Sequence, residues 1–218
     1  MQRFLDFFLS GIAIIMLTPI LVPIVFILKV TGEGEVFYKQ IRVGKNGNSF
    51  RLLKFATMLK DSPNIGSGEI TIKDDPRVLP LGKFLRKSKI NELPQLWNIF
   101  IGNMSIVGPR PMVPNTYSNY TIEVQKVLNT VRPGLTGIGS IIFRDEERIL
   151  DGHEDPISFY IENITPHKGD LEVWFVRNVN TWLYVKIIFV TAWVLFIPSS
   201  KIVNKVFVGL PKLPDTLN

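Results

Sequence analysis

The sequence has 218 residues, enough for one ordinary domain with an appendage. It contains no cysteine, which excludes disulfides and thiolate metal sites, and its two histidines are too few for a histidine-rich metal centre. Lysine and arginine number 25 against 19 acidic residues, giving a net charge of +6. That charge favours anionic partners such as phosphates, nucleotides, nucleic acid or lipid headgroups.

The first apolar segment, residues 7–28, runs for 22 residues without a charge. As a straight helix at about 1.5 Å per residue it would reach roughly 33 Å, enough to cross a hydrocarbon core of about 30 Å. A cleaved signal peptide is the competing interpretation, but no small-residue cleavage site follows the segment. Pro19 and Pro23 lie inside it, and a sharp bend at Thr18–Pro19 would instead give two arms that enter and leave one leaflet.

The charges around this segment bear on its orientation. Arg3 precedes it, partly offset by Asp6, whereas several basic residues follow, starting with Lys29. A spanning helix with this bias would place the downstream domain in the cytoplasm. A re-entrant hairpin would leave both of its ends there.

A strand hairpin is predicted next. Residues 35–44 and 49–58 are short apolar-rich stretches joined by a turn with Asn46–Gly47 at its tip. Residues 36–60 include six basic side chains and no acidic ones, so the hairpin presents a positive surface. Most of these lysines are expected to be solvated. Lys54 differs because its neighbours are apolar, which indicates a partly enclosed position.

A loop and a short helix follow. Residues 61–82 are rich in glycine, proline, serine and aspartate, which is typical of a mobile substrate loop or of a simple linker. Residues 82–90 are predicted to form a short helix.

Residues 88–112 are the most informative stretch. Apolar side chains recur there at helical spacing: Leu93, Leu96, Trp97 and Phe100. Pro94 is tolerated only in a first turn, so the helix is predicted to begin near Asn91, with Asn91 as its N-cap. Glu92 would then lie in the first turn, where the helix dipole favours a carboxylate. A purely structural role for both residues is one interpretation.

The alternative is a phosphate site at this helix start. Arg110 follows in a glycine–proline turn, and its planar guanidinium suits phosphate oxygens. Arg132 has a similar arginine–proline setting, although both arginines would equally suit surface turns with acidic neighbours. Together with Lys54 and the apolar segment, the two turns indicate a diphosphate substrate handled at a membrane surface. Nucleic acid is not expected, because the basic residues are not interleaved with exposed aromatics and no recognised binding motif is present.

The last third of the sequence contains an aromatic-rich stretch, residues 172–198, with Arg177 and Lys186 among its tryptophans. Its uncharged run, residues 187–198, is too short to span a bilayer. The composition fits a helix lying in the headgroup region or a buried amphipathic helix.

Three stretches, residues 4–58, 74–111 and 131–137, resemble the bacterial sugar transferases known as small monotopic phosphoglycosyl transferases. The resemblance implies a compact, helix-rich mixed α/β catalytic domain with interfacial helices. It also implies a re-entrant membrane hairpin over residues 1–32, bent at Thr18–Pro19, and a cytoplasm-facing catalytic domain over residues 33–218 in the bacterial inner membrane.

The activity implied by the resemblance is transfer of a sugar phosphate from a UDP-sugar to polyprenyl (undecaprenyl) phosphate, with Mg²⁺ required. This is the first membrane step towards capsule, exopolysaccharide, O-antigen or protein-linked glycans. Glu92 is expected to bind the metal ion or to take part in catalysis. Asn91, the residue before it, occupies the position of the nucleophile. The residues expected to contact substrate are Lys54, Arg86, Arg110, Pro111 and Arg132. Homo-oligomerisation is left open.

Asn91 departs from the family, whose members carry an aspartate there that attacks phosphorus. Ala56 and Asn103 also depart from the usual arginine and aspartate, and an unusual acidic cluster occupies residues 145–147. Four explanations remain: a natural subgroup using another carboxylate or direct transfer between two substrates, an engineered trap, a catalytically silent binding homologue, or deamidation of Asn91. We favour the natural subgroup, because several positions depart together.

Overall fold

The computed structural model of the chain describes residues 1–65, 75–144, 146–151, 155–197 and 202–213. These ranges form a mixed, helix-rich α/β structure, which confirms the predicted fold class at that level. Its strands are β1 (Phe37–Val43), β2 (Ser49–Phe55), β3 (Ser105–Val107) and β4 (Gly134–Thr136). The helices described are α1 (Gln2–Val30), α2 (Pro80–Lys87), α3 (Gln95–Ile101), α4 (Pro114–Tyr117), α5 (Ile122–Leu128), α6 (Ile138–Ile142), α7 (Glu146–Leu150), α8 (Pro156–Phe159), α9 (Thr165–Asn178), α10 (Thr181–Phe196) and α11 (Ile202–Val206).

The predicted hairpin is confirmed: β1 and β2 pair antiparallel, with Tyr38 opposite Lys54. The connection contains a short 3₁₀ turn, Lys45–Gly47. Asn46 and Gly47 have φ values of 60° and 72°, in the left-handed region that asparagine and glycine tolerate best. The asparagine–glycine pair therefore decides where the chain reverses.

Helix α3 packs on β2 and fixes its position. The Asn98 side chain accepts a hydrogen bond from the Leu53 amide (2.9 Å) and donates one to the Arg51 carbonyl (2.8 Å). Leu52 and Ile99 are buried in the same apolar cluster. Because one amide satisfies both a donor and an acceptor of β2, the segment leading into α3 lies beside the end of that strand.

The second sheet is a parallel pair, β3 with β4, and it joins the two arginine–proline turns. The Gly108 amide donates to the Thr136 carbonyl (2.9 Å), and the Gly134 amide donates to the Pro109 carbonyl (2.8 Å). A Cβ atom at Gly134 would lie 2.1 Å from the Gly108 nitrogen, so no side chain fits there. Glycine is thus required where the two turns touch.

Helix α1 is continuous through Thr18, Pro19 and Pro23, so the predicted division into two arms is not confirmed. The Thr18 hydroxyl donates to the Ile14 carbonyl one turn earlier (2.8 Å). Within the described residues, α1 alone is long and apolar enough to cross a membrane by length and composition.

Both ends of α1 contact the rest of the protein. The Arg3 guanidinium donates to the carbonyls of Ile99 and Phe100, each at 2.6 Å. Near the other end, Leu28 is buried in a cluster with Phe55 and Leu85. A 29-residue helix is about 43 Å long at 1.5 Å per residue, so α1 lies along the domain instead of leaving it at one end.

Asp6 fixes the start of α1. It is 2% exposed, and its Oδ1 accepts hydrogen bonds from the Ser105 hydroxyl (2.9 Å), the Ile106 amide (2.8 Å) and the Tyr184 hydroxyl (2.5 Å). These donors belong to β3 and α10. One carboxylate oxygen therefore joins three elements that are far apart in the sequence.

The opposite face of α1 exposes large apolar side chains, among them Ile12, Ile15, Met16, Ile20 and Phe26. In a soluble protein a continuous apolar surface of this kind marks a contact with another protein or a membrane.

The aromatic-rich stretch predicted as one helix forms two, α9 and α10, and that part of the prediction is wrong. The chain breaks at Val179–Asn180, where the Asn180 side chain accepts from the Leu183 amide and caps α10 (2.9 Å). Asparagine at this position competes for the backbone and starts a new helix. One side of α10 buries Tyr184 and Ile187 in the largest apolar core, as the amphipathic alternative expects.

The other side of α10 is apolar as well. Trp182 and Phe189 are 67% and 70% exposed, and the Lys186 ammonium lies 5.5 Å from the centroid of the Trp182 ring. The placement of α10 in a headgroup region stays a prediction that these exposures suit.

Replacing Asp6 with alanine should destabilise the protein by about 3 kcal/mol, because it leaves two buried donors and one partly buried donor without an acceptor, and a buried unsatisfied donor costs about 1–3 kcal/mol. Denaturant unfolding in a mild detergent, followed by tryptophan fluorescence, measures the loss. Asp170→Ala, at an exposed position of α9, is the matched control and should change stability by less than about 0.5 kcal/mol. Equal losses in the two variants would contradict the role given to Asp6.

Candidate functional site

The end of β2 and the 3₁₀ turn Ile90–Glu92 bring together one lysine and one carboxylate. The Lys54 ammonium lies 3.6 Å from the Glu92 carboxylate, and their side chains are only 21% and 24% exposed. Lys54 is therefore partly enclosed, as its apolar neighbours predicted. The pair lies close to the surface and is still reachable from solvent.

Burial and neighbouring charges shift the pKa of both groups. Burial, with smaller contributions from the charges of Arg110, Arg42 and Arg86, lowers the pKa of Lys54 to about 8, against the opposing effect of Glu92. Burial alone would raise the pKa of Glu92, but the positive charges of Lys54 and Arg110 outweigh it and hold that pKa below its ordinary value. At neutral pH the pair is thus ionised, and Lys54 is the member closer to losing its charge.

Asn91 is not the N-cap of α3, so that prediction is wrong. It lies inside the 3₁₀ turn, and α3 begins only at Gln95, after Pro94. The left-handed Lys89 (φ 59°) starts this turn, a conformation that periodicity alone does not reveal. Asn91 is 7% exposed, and its Oδ1 has no hydrogen-bond partner within the part of the chain that the structure describes.

Two of the predicted phosphate contacts act on the same pair. Arg110 is exposed, and its charge affects the pKa of both Lys54 and Glu92. Arg86, on α2, donates to the sulfur of Met58 (3.5 Å) and affects the pKa of Lys54. Lys54 and Arg110 therefore act on Glu92, and Arg86 acts on Lys54, although the three cations come from separate elements.

The turn that carries Arg110 is anchored to the end of β1. The Arg42 guanidinium donates to the carbonyl of the buried Pro111 (2.9 Å), and the Val43 amide donates to the Met112 carbonyl (2.9 Å). Pro111 thus fixes the backbone next to Arg110, and any direct contact of Pro111 with substrate stays a prediction. Arg42 was not among the predicted site residues.

Arg132 lies elsewhere. Its Nε donates to the Gly102 carbonyl (2.8 Å), in the loop after α3, whereas Arg110 follows the other end of β3. The backbones of the two arginine turns touch, as described above, but the contact seen for Arg132 is a structural one. Its role in phosphate binding stays a prediction.

A buried polar cluster behind Arg110 was not predicted. The Arg110 amide donates to Oε1 of Glu172 (3.4 Å), while Oε2 of Glu172 is buried without a hydrogen-bond partner among the described residues. Burial raises the pKa of Glu172 to about 7, although the Arg110 amide and Lys168 oppose this shift. The sequence did contain a signal for this cluster, because Glu172 stands at a core-like position of an aromatic-rich stretch.

Lys168 completes this cluster. Its ammonium contacts the Glu146 carboxylate at 2.5 Å and lies 4.8 Å from the centroid of the Tyr160 ring. Glu146 belongs to the acidic cluster that the sequence singled out, so this carboxylate is engaged by a buried lysine. Asp145 lies outside the described residues, and the side chain of Glu147 is not described.

The oxygen atoms described at the site are too few to hold a metal ion alone, and they suit one that substrate phosphates also coordinate. Among the described residues no three histidine, aspartate or glutamate side chains are grouped to hold a metal ion. Glu92 supplies one carboxylate, and the Oδ1 of Asn91, which has no hydrogen-bond partner among the described residues, is a neutral oxygen next to it in the chain. Mg²⁺ commonly binds through one or two protein oxygens plus substrate phosphates, and these donors fit that arrangement.

Comparison with known proteins shows which family the chain resembles. It matches the family described as "Bacterial sugar transferase" over residues 1–198. It is 33% identical to the UDP-glucose:undecaprenyl-phosphate glucose-1-phosphate transferase of Klebsiella pneumoniae, over 91% of this chain and 41% of that protein. It is 35% identical to the exopolysaccharide production protein ExoY of Sinorhizobium fredii, over 66% of this chain and 70% of that protein.

A third relative is the UDP-N-acetylgalactosamine-undecaprenyl-phosphate N-acetylgalactosaminephosphotransferase of Aeromonas hydrophila, 30% identical over 87% of this chain and 42% of that protein. The chain thus spans about two fifths of the length of this relative and of the Klebsiella protein. The match over residues 1–198 and the similarity to these transferases show that the chain belongs to the bacterial sugar transferase family.

Proposed function

We propose that this protein transfers a sugar 1-phosphate from a UDP-sugar to undecaprenyl phosphate, forming undecaprenyl-diphospho-sugar and UMP. The observation that carries the proposal is the Lys54–Glu92 ion pair with Arg110, which acts on both of its members, and Arg86, which acts on Lys54; these three cations are called the cationic cluster. The relatives of this chain are named for this reaction. It would be the initiating membrane step of polysaccharide or glycoconjugate synthesis.

The cluster suits a reaction between two phosphate compounds. A UDP-sugar and a lipid phosphate repel each other, and cations from three elements offset that repulsion. The guanidinium groups of Arg86 and Arg110 can each donate hydrogen bonds to two phosphate oxygens, whereas Lys54 acts as a point charge. Glu92 would hold Mg²⁺, with the neutral oxygen of Asn91 beside it. When bound, Mg²⁺ would offset charge on the transferring phosphoryl group.

Asn91 decides how the group moves. An amide oxygen is a weak nucleophile, and Glu92 is ion-paired with Lys54, so we favour direct transfer between the two substrates. An oxygen of the lipid phosphate attacks the phosphorus nearer the sugar and forms a new phosphorus–oxygen bond. The bond from that phosphorus to the bridging oxygen breaks, and UMP leaves with the electron pair. A silent homologue that only binds these ligands is the second candidate, favoured by the same Asn91.

The packing of α1 supports a one-sided membrane attachment. Arg3 at one end and Leu28 near the other both contact the domain, so a membrane-crossing α1 would draw the domain into the bilayer with it. We therefore propose that α1 enters the membrane and keeps both ends on the cytoplasmic side of the inner membrane. The division into an anchor, residues 1–32, and a catalytic domain, residues 33–218, belongs to this proposal.

Purified protein incubated with UDP-sugars, undecaprenyl phosphate and Mg²⁺ should release UMP only when the lipid phosphate is present. Glu92→Gln should lower that rate by about 10²-fold or more, because it removes the charged oxygen from the cluster. Glu123→Gln, at an exposed position of α5, is the matched control and should retain the rate. Release of UMP by Asn91→Asp alone would instead support the silent homologue.

Direct transfer also predicts that labelled UMP does not exchange into UDP-sugar when lipid phosphate is absent, because no sugar-phosphate remains on the enzyme. The measurement is the label recovered in UDP-sugar after incubation with wild-type protein. Exchange by the wild type would contradict direct transfer and indicate a covalent intermediate, without affecting the overall reaction proposed.

The catalytic efficiency for UDP-sugar should fall as pH rises through about 8, because Lys54 loses its proton there and with it a charge that offsets phosphate. Arginine stays protonated, so Lys54→Arg should remove this alkaline fall even if its maximal rate is lower. Lys83→Arg, on the exposed side of α2, should leave the profile unchanged. An identical alkaline fall in wild type and Lys54→Arg would assign it to another group.

A further inference from the structure

A cavity of about 250 Å³ lies between the end of α1, the residues after β2 and the start of α2. Its lining is largely apolar and includes Ile27, Leu28, Ala56, Met58, Leu79 and Leu81. Pockets that enclose a whole small ligand usually measure about 300–1,000 Å³, so this one suits a segment of a larger molecule.

The polar groups of the cavity already have partners. Glu35 pairs with Lys60 at 3.0 Å, and Glu33 accepts a hydrogen bond from the Lys60 amide. The Thr31 hydroxyl donates to the Ile27 carbonyl one turn earlier (2.6 Å). A nucleotide or sugar would lose its hydration here without gaining equivalent hydrogen bonds, whereas a hydrocarbon chain loses nothing.

The wall of the cavity includes a residue of the exposed part of α1 and a residue that contacts the cationic cluster. Ile27 lines the cavity and is itself 40% exposed, next to the 68% exposed Phe26. On the other side, Met58 lines the cavity and accepts from the Arg86 guanidinium at 3.5 Å. A molecule with an apolar chain and a phosphate head could therefore place the chain in the cavity and the head at Arg86.

Ala56 accounts for part of the space. It is 8% exposed, lines the cavity, and stands where the resemblance described above leads one to expect an arginine. A methyl side chain leaves volume and no charge at this wall. The departure noted in the sequence thus coincides with the apolar character of the cavity.

We propose that this cavity binds the isoprenoid units next to the phosphate of the lipid acceptor. The proposal rests on the function proposed above, because that reaction supplies the polyprenyl phosphate. The units enter from the face of α1 that carries Phe26, and the phosphate reaches Arg86 and Lys54. The cavity thereby sets the position of the attacking phosphate along the cluster.

Photo-crosslinking tests the location without requiring turnover. An isoprenoid phosphate with a diazirine in its first units, added to the full chain in nanodiscs, should label peptides that contain residues 27–32 and 79–82. Unlabelled undecaprenyl phosphate should compete, whereas inorganic phosphate should not. Labelling confined to the exposed faces of α1 and α10 would overturn the proposal. Labelling of the cavity by a wild type that releases no UMP would leave it standing and reject the proposed function.

Kinetics provide the second test. Ala56→Leu fills the cavity and Thr31→Phe places a ring at its rim, so each should raise the KM for undecaprenyl phosphate roughly tenfold and change the KM for UDP-sugar less than twofold. Ala192→Leu, at an exposed position of α10, should change neither. Thermal unfolding checks that the variants are folded. An unchanged KM for the lipid in both folded variants, or equal increases for both substrates, would overturn the proposal.

Discussion

The carboxylate of Asp6 is the contact on which the placement of α1 depends. Its Oδ1 accepts hydrogen bonds from donors of β3 and α10; the two hydroxyl donors are buried and the amide donor is partly buried. A buried acceptor with three donors is costly to disrupt, so the start of the apolar helix is held against the rest of the protein. Arg3 reinforces this attachment through the last carbonyls of α3. That attachment sets where the apolar face of α1 lies relative to the cationic cluster.

Local chemistry was sufficient to predict several elements of the fold. The Asn46–Gly47 pair predicted the β1–β2 hairpin. The sequence left open whether α1 continues through its prolines, because the outcome depends on packing along the helix that local chemistry does not show. Nor did periodicity reveal the break at Asn180, since apolar residues continue across it. A cap of this kind depends on one side chain, and that side chain can equally make local hydrogen bonds that do not start a helix.

The site was predictable where residue type alone dictates chemistry. Charge and turn chemistry singled out Lys54 and Arg110, which both act on Glu92, whereas Arg86 was expected from the resemblance alone and acts on Lys54. Arg132 instead contacts the loop after α3. Asn91 was assigned to a helix start that lies four residues later, because the left-handed Lys89 inserts a separate turn. Arg42, Lys168 and Glu172 escaped notice, since their importance comes from partners on distant elements. Such long-range pairs cannot be read from spacing along the chain.

The attachment of α1 at both ends has a mechanical consequence in the proposed orientation. A helix about 43 Å long that occupies a single leaflet displaces lipid from that side and none from the other. It therefore acts as a wedge, and its insertion is easier where the cytoplasmic leaflet is stretched by outward bending. Curvature and lateral pressure would then act directly on the angle between α1 and the domain. The composition of the bilayer, as well as the supply of acceptor lipid, would then determine the fraction of the protein that is inserted and able to react.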